Sequence, residues 1–267
     1  MTVLTRELRA SYAFVERNFN LTKRYWGWEV AFMVYSVAGA LAVTLIGQDQ
    51  NSPRLILSLL IGATFWNYLS VVFSVIAEQI SWERWEGTLE YTMMAPVRRV
   101  SQLLGATIFA VMWGLIHTCV VLVVLVLFFG IDLSAANFLT AGVLMLVGSL
   151  SIIGIGMMAA TLPLIWVERG DQMVFVIQSL LLLVSGVYYS VTILPFWMQP
   201  VSALSPATYI LDGVRQALIE GAPITSMGFS HVLPLAVMAV VFIPLGVFVF
   251  GWAERYAKRT GKLKRVG

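Results

Sequence analysis

Charge is scarce in this chain. Of its 267 residues only 12% are Asp, Glu, Lys or Arg, while 59% are hydrophobic. Soluble domains carry about 25% charged residues, so a value half as large excludes an ordinary soluble protein and points into a bilayer. The one cysteine, Cys119, lies inside an apolar run, which excludes a disulfide framework. No GxxxxGK[ST] phosphate loop and no HExxH occur, and the two histidines, His117 and His231, are not spaced as metal ligands. No nucleotide, metal or other cofactor is therefore expected in this chain. The alternation of polar and apolar residues that a membrane barrel requires is also absent.

What is present is apolar length. Crossing a bilayer takes about 20 apolar residues in a helix, and six runs qualify, at 25–47, 55–80, 102–130, 138–167, 172–194 and 232–252. The third and fourth exceed a single crossing, so they tilt or protrude. Gly154 and Gly156 fall inside the fourth, where small residues let helices approach closely. No cleavable signal is expected, because the first apolar run follows a charged leader and is too long for a signal core. Every Lys and Arg except Arg54 and Arg215 falls on one side of an even-numbered set of spans. The positive-inside rule makes that side, with both termini, cytoplasmic. The expected partners of these bases are anionic lipid headgroups rather than nucleic acid, because they sit next to span ends.

The expected fold is an all-α membrane protein of one domain, with a leader at 1–24, a six-span core at 25–252 and a basic tail at 253–267. In the leader, Leu4, Leu8, Tyr12, Val15 and Phe19 recur at helical spacing, which predicts an amphipathic helix lying in the cytoplasmic interface. Trp26 and Trp28 mark the headgroup level. The stretch 195–219 is too interrupted by proline to span and too apolar for water. It reads as a re-entrant hairpin on the outer side, with Ser205-Pro206 starting a helix at 207–219. Within it Asp212 and Arg215 are placed to pair; the plainer reading is a capping pair on a surface helix. Glu29, Glu78, Asp132 and Arg54 lie at span ends and the middles carry no charge, which argues against an ion-coupled carrier.

One polar segment, 78–99, breaks this pattern: EQISWERWEGTLEYTMMAPVRR. Trp82, Trp85, Leu89 and Met93 would share a face of one continuous helix, but Gly87 interrupts and reads as a joint. The second span would thus project through Glu86. A short amphipathic helix at 88–95 would follow, stopped by Pro96, with Arg98 and Arg99 anchoring the next span. Such a transverse helix can seat in a groove of a soluble partner; it could equally be a connector against headgroups.

The string ERWEGTLEYTMMAPVRR resembles the ER-x-x-GTLE pattern of the ABC-2 family, the membrane subunits of type V ATP-binding-cassette transporters. LSPATYILDGVRQAL is similar to that family's NP-x-TY…D…R segment after span five, with Ser205 where Asn is common. The resemblance covers nearly the whole chain. It implies an ATP-driven exporter built from two membrane subunits, one being a second copy of this chain, and two separate ATPase subunits. ATP and Mg would be bound by the ATPase, and this chain would not itself be an enzyme. The leader would be the connecting helix and 88–95 the coupling helix. The docking residues would be Glu83, Arg84, Glu86, Gly87, Thr88, Leu89, Glu90 and Met93, and the external hairpin would be marked by Tyr209, Asp212 and Arg215. Spans one, two and five would enclose the path, lined by aromatics among Phe32, Tyr35, Phe65, Trp66, Tyr68, Phe73, Phe175, Tyr188 and Tyr189, although many of these could simply pack. An amphipathic cargo of drug or lipid type is expected, out of a cell membrane of prokaryotic type. The alternatives are export of a lipid-linked polysaccharide by the same architecture, an ion-coupled carrier, and an assembly scaffold.

Overall fold

A computed structural model describes residues 3–50, 52–95 and 97–261, with side chains from Thr5 onward. The Leu4 side chain, Pro96, Lys262, Lys264 and Arg265 lie outside the described residues. All regular structure among the described residues is helical. In chain order the helices are α1 Val3–Arg24, α2 Trp26–Asp49, α3 Pro53–Ala77, α4 Gln79–Trp85, α5 Leu89–Met94, α6 Arg99–Phe129, α7 Phe138–Ala159, α8 Thr161–Ile165, α9 Gly170–Val184, α10 Gln199–Ala203, α11 Pro206–Ile219 and α12 Leu233–Arg259.

Five of these segments are long and apolar enough to cross a membrane: α2, α3, α6, α7 continued through α8, and α12 with its lead-in. The fifth expected span is shorter than its apolar run. α9 has 15 residues, which at about 1.5 Å per residue reaches about 22 Å of a hydrocarbon core about 30 Å thick. It stops at Val184, and residues 185–194 form turns and a short 3-10 helix, Val191–Ile193, instead. Apolar content set the expected length; glycine decided the actual one, since Gly186 adopts φ +64° just past the helix end.

α3 lies at the centre. Its Leu60, Ile61, Tyr68, Leu69 and Val72 are essentially inaccessible, packed among α6, α7 and α11. The Tyr68 hydroxyl lies 2.5 Å from Ser149 Oγ of α7. α7 and α12 form the most extensive helix pair, and the expected close approach at Gly154 holds. A Cβ there would come within 2.5 Å of the Phe242 backbone, and one on Gly246 within 2.7 Å of the Gly154 carbonyl. α11 packs against α7 and α3, its Ile210, Leu211 and Val214 fully buried. α2, by contrast, buries only Ala40, Thr44 and Gly47.

Helix starts follow local chemistry. Ser52 Oγ accepts the Leu55 N–H ahead of α3, and Asn137 Oδ1 accepts the Thr140 N–H at 3.0 Å ahead of α7. Ser205 stands at the start of α11, as expected. It occupies the N-cap of α11 before Pro206 but makes no side-chain cap bond; its Oγ lies 2.7 Å from Ser185 Oγ instead. α12 is entered through a π-helical turn, Gly228–Val232, and continues helical to Arg259, so part of the expected tail is rigid helix.

α1 buries only part of the apolar face expected of the leader. It is helical, and it docks along the first half of α6. Val15 is buried and Phe19 sits edge-on to Phe109 with ring centroids 5.0 Å apart, while Leu8 and Tyr12 of the same expected face are exposed. Edge-to-face ring packing gives a specific contact beyond simple burial.

Candidate functional site: the joint between α3 and α6

The polar segment divides where glycine allows it. α3 breaks at Glu78 and α4 carries on to Trp85. Gly87 then takes φ +72°, its N–H bonding the Arg84 carbonyl at 3.1 Å, and the Thr88 N–H bonds the Glu83 carbonyl at 2.8 Å. This is a Schellman closure, which needs a left-handed residue. It turns the chain so that α5 starts in a new direction, with Thr88 and Ala95 at its two ends.

α4 presents its two central charges inward. Glu83 is fully buried, and its Oε1 accepts from Arg17 Nη1 of α1 at 2.7 Å, Gln102 Nε2 of α6 at 3.2 Å and Gln79 Nε2 at 3.4 Å. Charge-assisted bonds of this kind are stronger than neutral ones. Arg84 is also buried and donates to the Pro163 carbonyl of α8 at 2.8 Å. Burial lowers its guanidinium from its usual range, which an Arg tolerates without losing charge. Glu86 accepts the Tyr25 hydroxyl at 2.5 Å and pairs with Arg24 at 3.6 Å. The bond to Glu86 is the main reason the Tyr25 phenol sits above its usual value. Ser81 Oγ donates to Asp171 Oδ1 of α9. One short helix is thus bonded to α1, α6, α8 and α9.

α5 is two-faced. Leu89 and Met93 are buried with Ile80, Leu164, Phe250, Ala253 and Ala257. Its last carbonyls are held by Arg99, which donates to Thr92 O at 2.8 Å and Met93 O at 2.6 Å while its Nε reaches Glu254 of α12 at 3.0 Å. The other face, Glu90, Tyr91 and Met94, is open, with Tyr91 75% and Met94 73% exposed. The face expected of a continuous helix is therefore split by Gly87. Leu89 and Met93 turn into the protein, whereas Trp82 and Trp85 stay exposed, packed with each other and with Tyr25.

Of the residues expected at this site, Glu83, Arg84, Glu86, Gly87, Thr88, Leu89 and Met93 come together in the joint, and Glu90 stands on its open face. Sequence reasoning missed Arg17, Tyr25, Gln102, Pro163 and Glu254. The only trace of Arg17 and Tyr25 in the sequence is a basic, aromatic end to an amphipathic helix.

The ABC-2 type transporter family matches residues 10–219, a span that contains this joint and α11. The chain belongs to that family. No curated protein matches it. As an ABC-2 protein the chain is the transmembrane component of an ATP-binding-cassette transporter and a multi-pass membrane protein, of a family that typically works with an ATP-binding subunit.

The family's second segment forms a separate cluster. Asp212 and Arg215 do not bond each other. Asp212 Oδ2 takes Gln216 Nε2 at 3.0 Å and lies 2.9 Å from His231 Nε2, whose Nδ1 is 2.8 Å from Ser230 Oγ. Arg215 instead donates to the Gly186 carbonyl at 3.0 Å and to the Val187 carbonyl, closing the turn after α9. These two carbonyls lie in the turn just past the end of α9, where no helical N–H reaches them. Tyr209 donates to the Ala203 carbonyl at 3.1 Å.

The aromatics expected along a path separate into two groups. Phe65, Tyr68 and Phe73 are buried within the core of the chain. Trp66, Tyr188 and Tyr189 are half-buried, and Phe32, Tyr35 and Phe175 are open, Tyr35 at 78% exposure.

Proposed function

We propose that this ABC-2 protein is an exporter subunit that works as two copies with two separate ATPase subunits, moving an amphipathic organic substrate out of the cytoplasm or inner leaflet. The observation that carries the reading is the two-faced α5. One face is bolted to α6 and α12 through Leu89, Met93 and Arg99, and the other offers Glu90, Tyr91 and Met94 to a partner. A docked ATPase would bind ATP with Mg in its own site and close on its twin, and a push on α5 would reach α1, α6, α8, α9 and α12 together. The basic residues concentrated on this side support a cytoplasmic location for the joint and both chain ends. The open aromatic side of α2, with Phe32 and Tyr35, and the open side of α9, with Phe175, suit a second copy and a shared path. The test is co-purification. Wild-type chain should retain an ATPase subunit and stimulate its hydrolysis, and Tyr91→Asp with Met94→Asp should lose both. Retention of the ATPase by that double variant counts against this docking face.

A further inference from the structure

α3 carries a polar face that the folded chain leaves unsatisfied. Positions 56, 63, 67, 70, 74 and 78 recur at steps of seven, four, three, four and four, one side of a helix. That side starts against α2, where a Cβ on Gly47 would lie 2.8 Å from the Ile56 nitrogen. Along it and beside it, Thr64 Oγ1, Asn67 Nδ2 and Ser70 Oγ are shielded from solvent and have no hydrogen-bond partner within the chain; Thr64 is wholly buried. Buried polar groups are nearly always bonded, and three unbonded ones in succession on one helix mark a surface made for something else. The inner half of the covering element is the less buried: all the buried residues of α2 lie in its outer half, and the inner half is tied to α6 by the Glu29–Trp113 bond.

The inner end of this face is acidic. Glu78 ends it, close enough to Asp171 of α9 for the two charges to interact; Glu29, in the first turn of α2, is turned to α6 instead, accepting from Trp113 Nε1 at 3.2 Å. Of the nearby bases, Arg17 pairs with Glu83 and Arg24 with Glu86, while Arg84 donates to the Pro163 carbonyl and its charge also acts on Asp171, which has Arg169 two residues before it. α2 and α9 contain no Lys or Arg, and α3 has only Arg54, at the opposite end. An anionic cargo, such as a phosphate-linked glycan, would meet like charge here. A cation would meet carboxylates and then aromatic faces, which attract it.

We propose that the Asn67–Ser70–Ser74–Glu78 face of α3 is a binding surface for a cationic amphiphile, exposed when the inner half of α2 moves aside. Glu78 selects positive charge, the hydroxyls and the Asn67 carboxamide hold polar groups, and Trp66, Phe32 and Tyr35 take the apolar body. The proposal rests on the exporter reading and names its substrate class.

The test uses the full chain in nanodiscs of zwitterionic lipid at pH 8.5, where Glu78 is ionised, without an ATPase, with empty nanodiscs subtracted. The probes are tetraphenylphosphonium and tetraphenylborate, ions of one shape and opposite charge, in equilibrium dialysis. The cation should bind and the anion should not. Glu78→Gln should weaken cation binding about tenfold, and so should Asn67→Leu, while Asp132→Asn at the outer end should not. Equal affinity for the two ions, no binding of the cation, or wild-type affinity in either α3 variant overturns the proposal. Comparison of the two ions on wild-type protein needs no variant to fold. Failure here leaves the ATPase partnership untouched, since that is decided by co-purification.

Discussion

Arg17 and Glu83, 66 residues apart in the chain, are joined by a 2.7 Å bond between a guanidinium nitrogen and a fully buried carboxylate. This bond ties the N-terminal helix to the joint before α5. Without Arg17 the carboxylate stays buried among neutral donors. Removing one partner of a buried pair costs about 3–5 kcal/mol; because Arg17 is a quarter exposed, about 2–3 kcal/mol is expected for Arg17→Ala. Glu83→Gln should cost less than Arg17→Ala, since it removes the charge along with its need. Thermal unfolding of the two single variants and the double variant measures the coupling.

Gly87 holds a left-handed backbone that closes α4. Gly87→Ala should destabilise the joint by about 1–2 kcal/mol, and Gly87→Asn by less, because Asn tolerates that conformation. The distinguishing readout is coupling. If the turn sets the direction of α5, ATPase stimulation should fall in Gly87→Ala while Gly87→Asn keeps most of it.

The two faces of α5 predict opposite phenotypes. Leu89→Asp puts a charge into a closed apolar cluster and should unfold the joint, lowering the melting temperature and the yield. Tyr91→Asp or Met94→Asp changes an exposed position, should leave melting within about 0.5 kcal/mol, and should reduce ATPase capture. Normal capture by Tyr91→Asp together with normal folding of Leu89→Asp would invert the assignment of faces.

Glu78, the residue after α3, has its carboxyl pushed from 4.5 up to about 7, by burial first and by the Asp171 charge second. The folded protein therefore holds this proton more tightly than the unfolded chain does. Stability from this group is full below about 4.5, declines as pH rises towards about 7, and is flat above. The total is on the order of 1–3 kcal/mol after allowance for solvent. Glu78→Gln should abolish that slope and melt higher than wild type at alkaline pH. An unchanged pH profile in the variant would show that Glu78 titrates normally.

Much of this site was legible in the sequence because its signals are local. A glycine between two amphipathic stretches predicts a joint, and α5 forms within one residue of the range expected. The apolar runs predict the long helices for the same reason, as burial in lipid depends on composition along a single segment. Partners were not legible. That Glu83 meets Arg17 and Gln102, or that Arg215 closes the turn after α9 while Asp212 faces His231, depends on helices brought together from distant parts of the chain.

By itself the sequence determined a membrane-embedded helical protein, its exceptional polar segment and the place where that segment bends. Hydropathy, helix spacing and glycine conformation act over a few residues and need no knowledge of neighbours. Only the tertiary structure decided which way each side chain points. It put Leu89 and Met93 inward, left Tyr91 and Met94 outside, and cut the fifth apolar run to a helix of 15 residues. The physical reason is that an amphipathic helix has two faces, and which of them is buried is set by the surface it lands on.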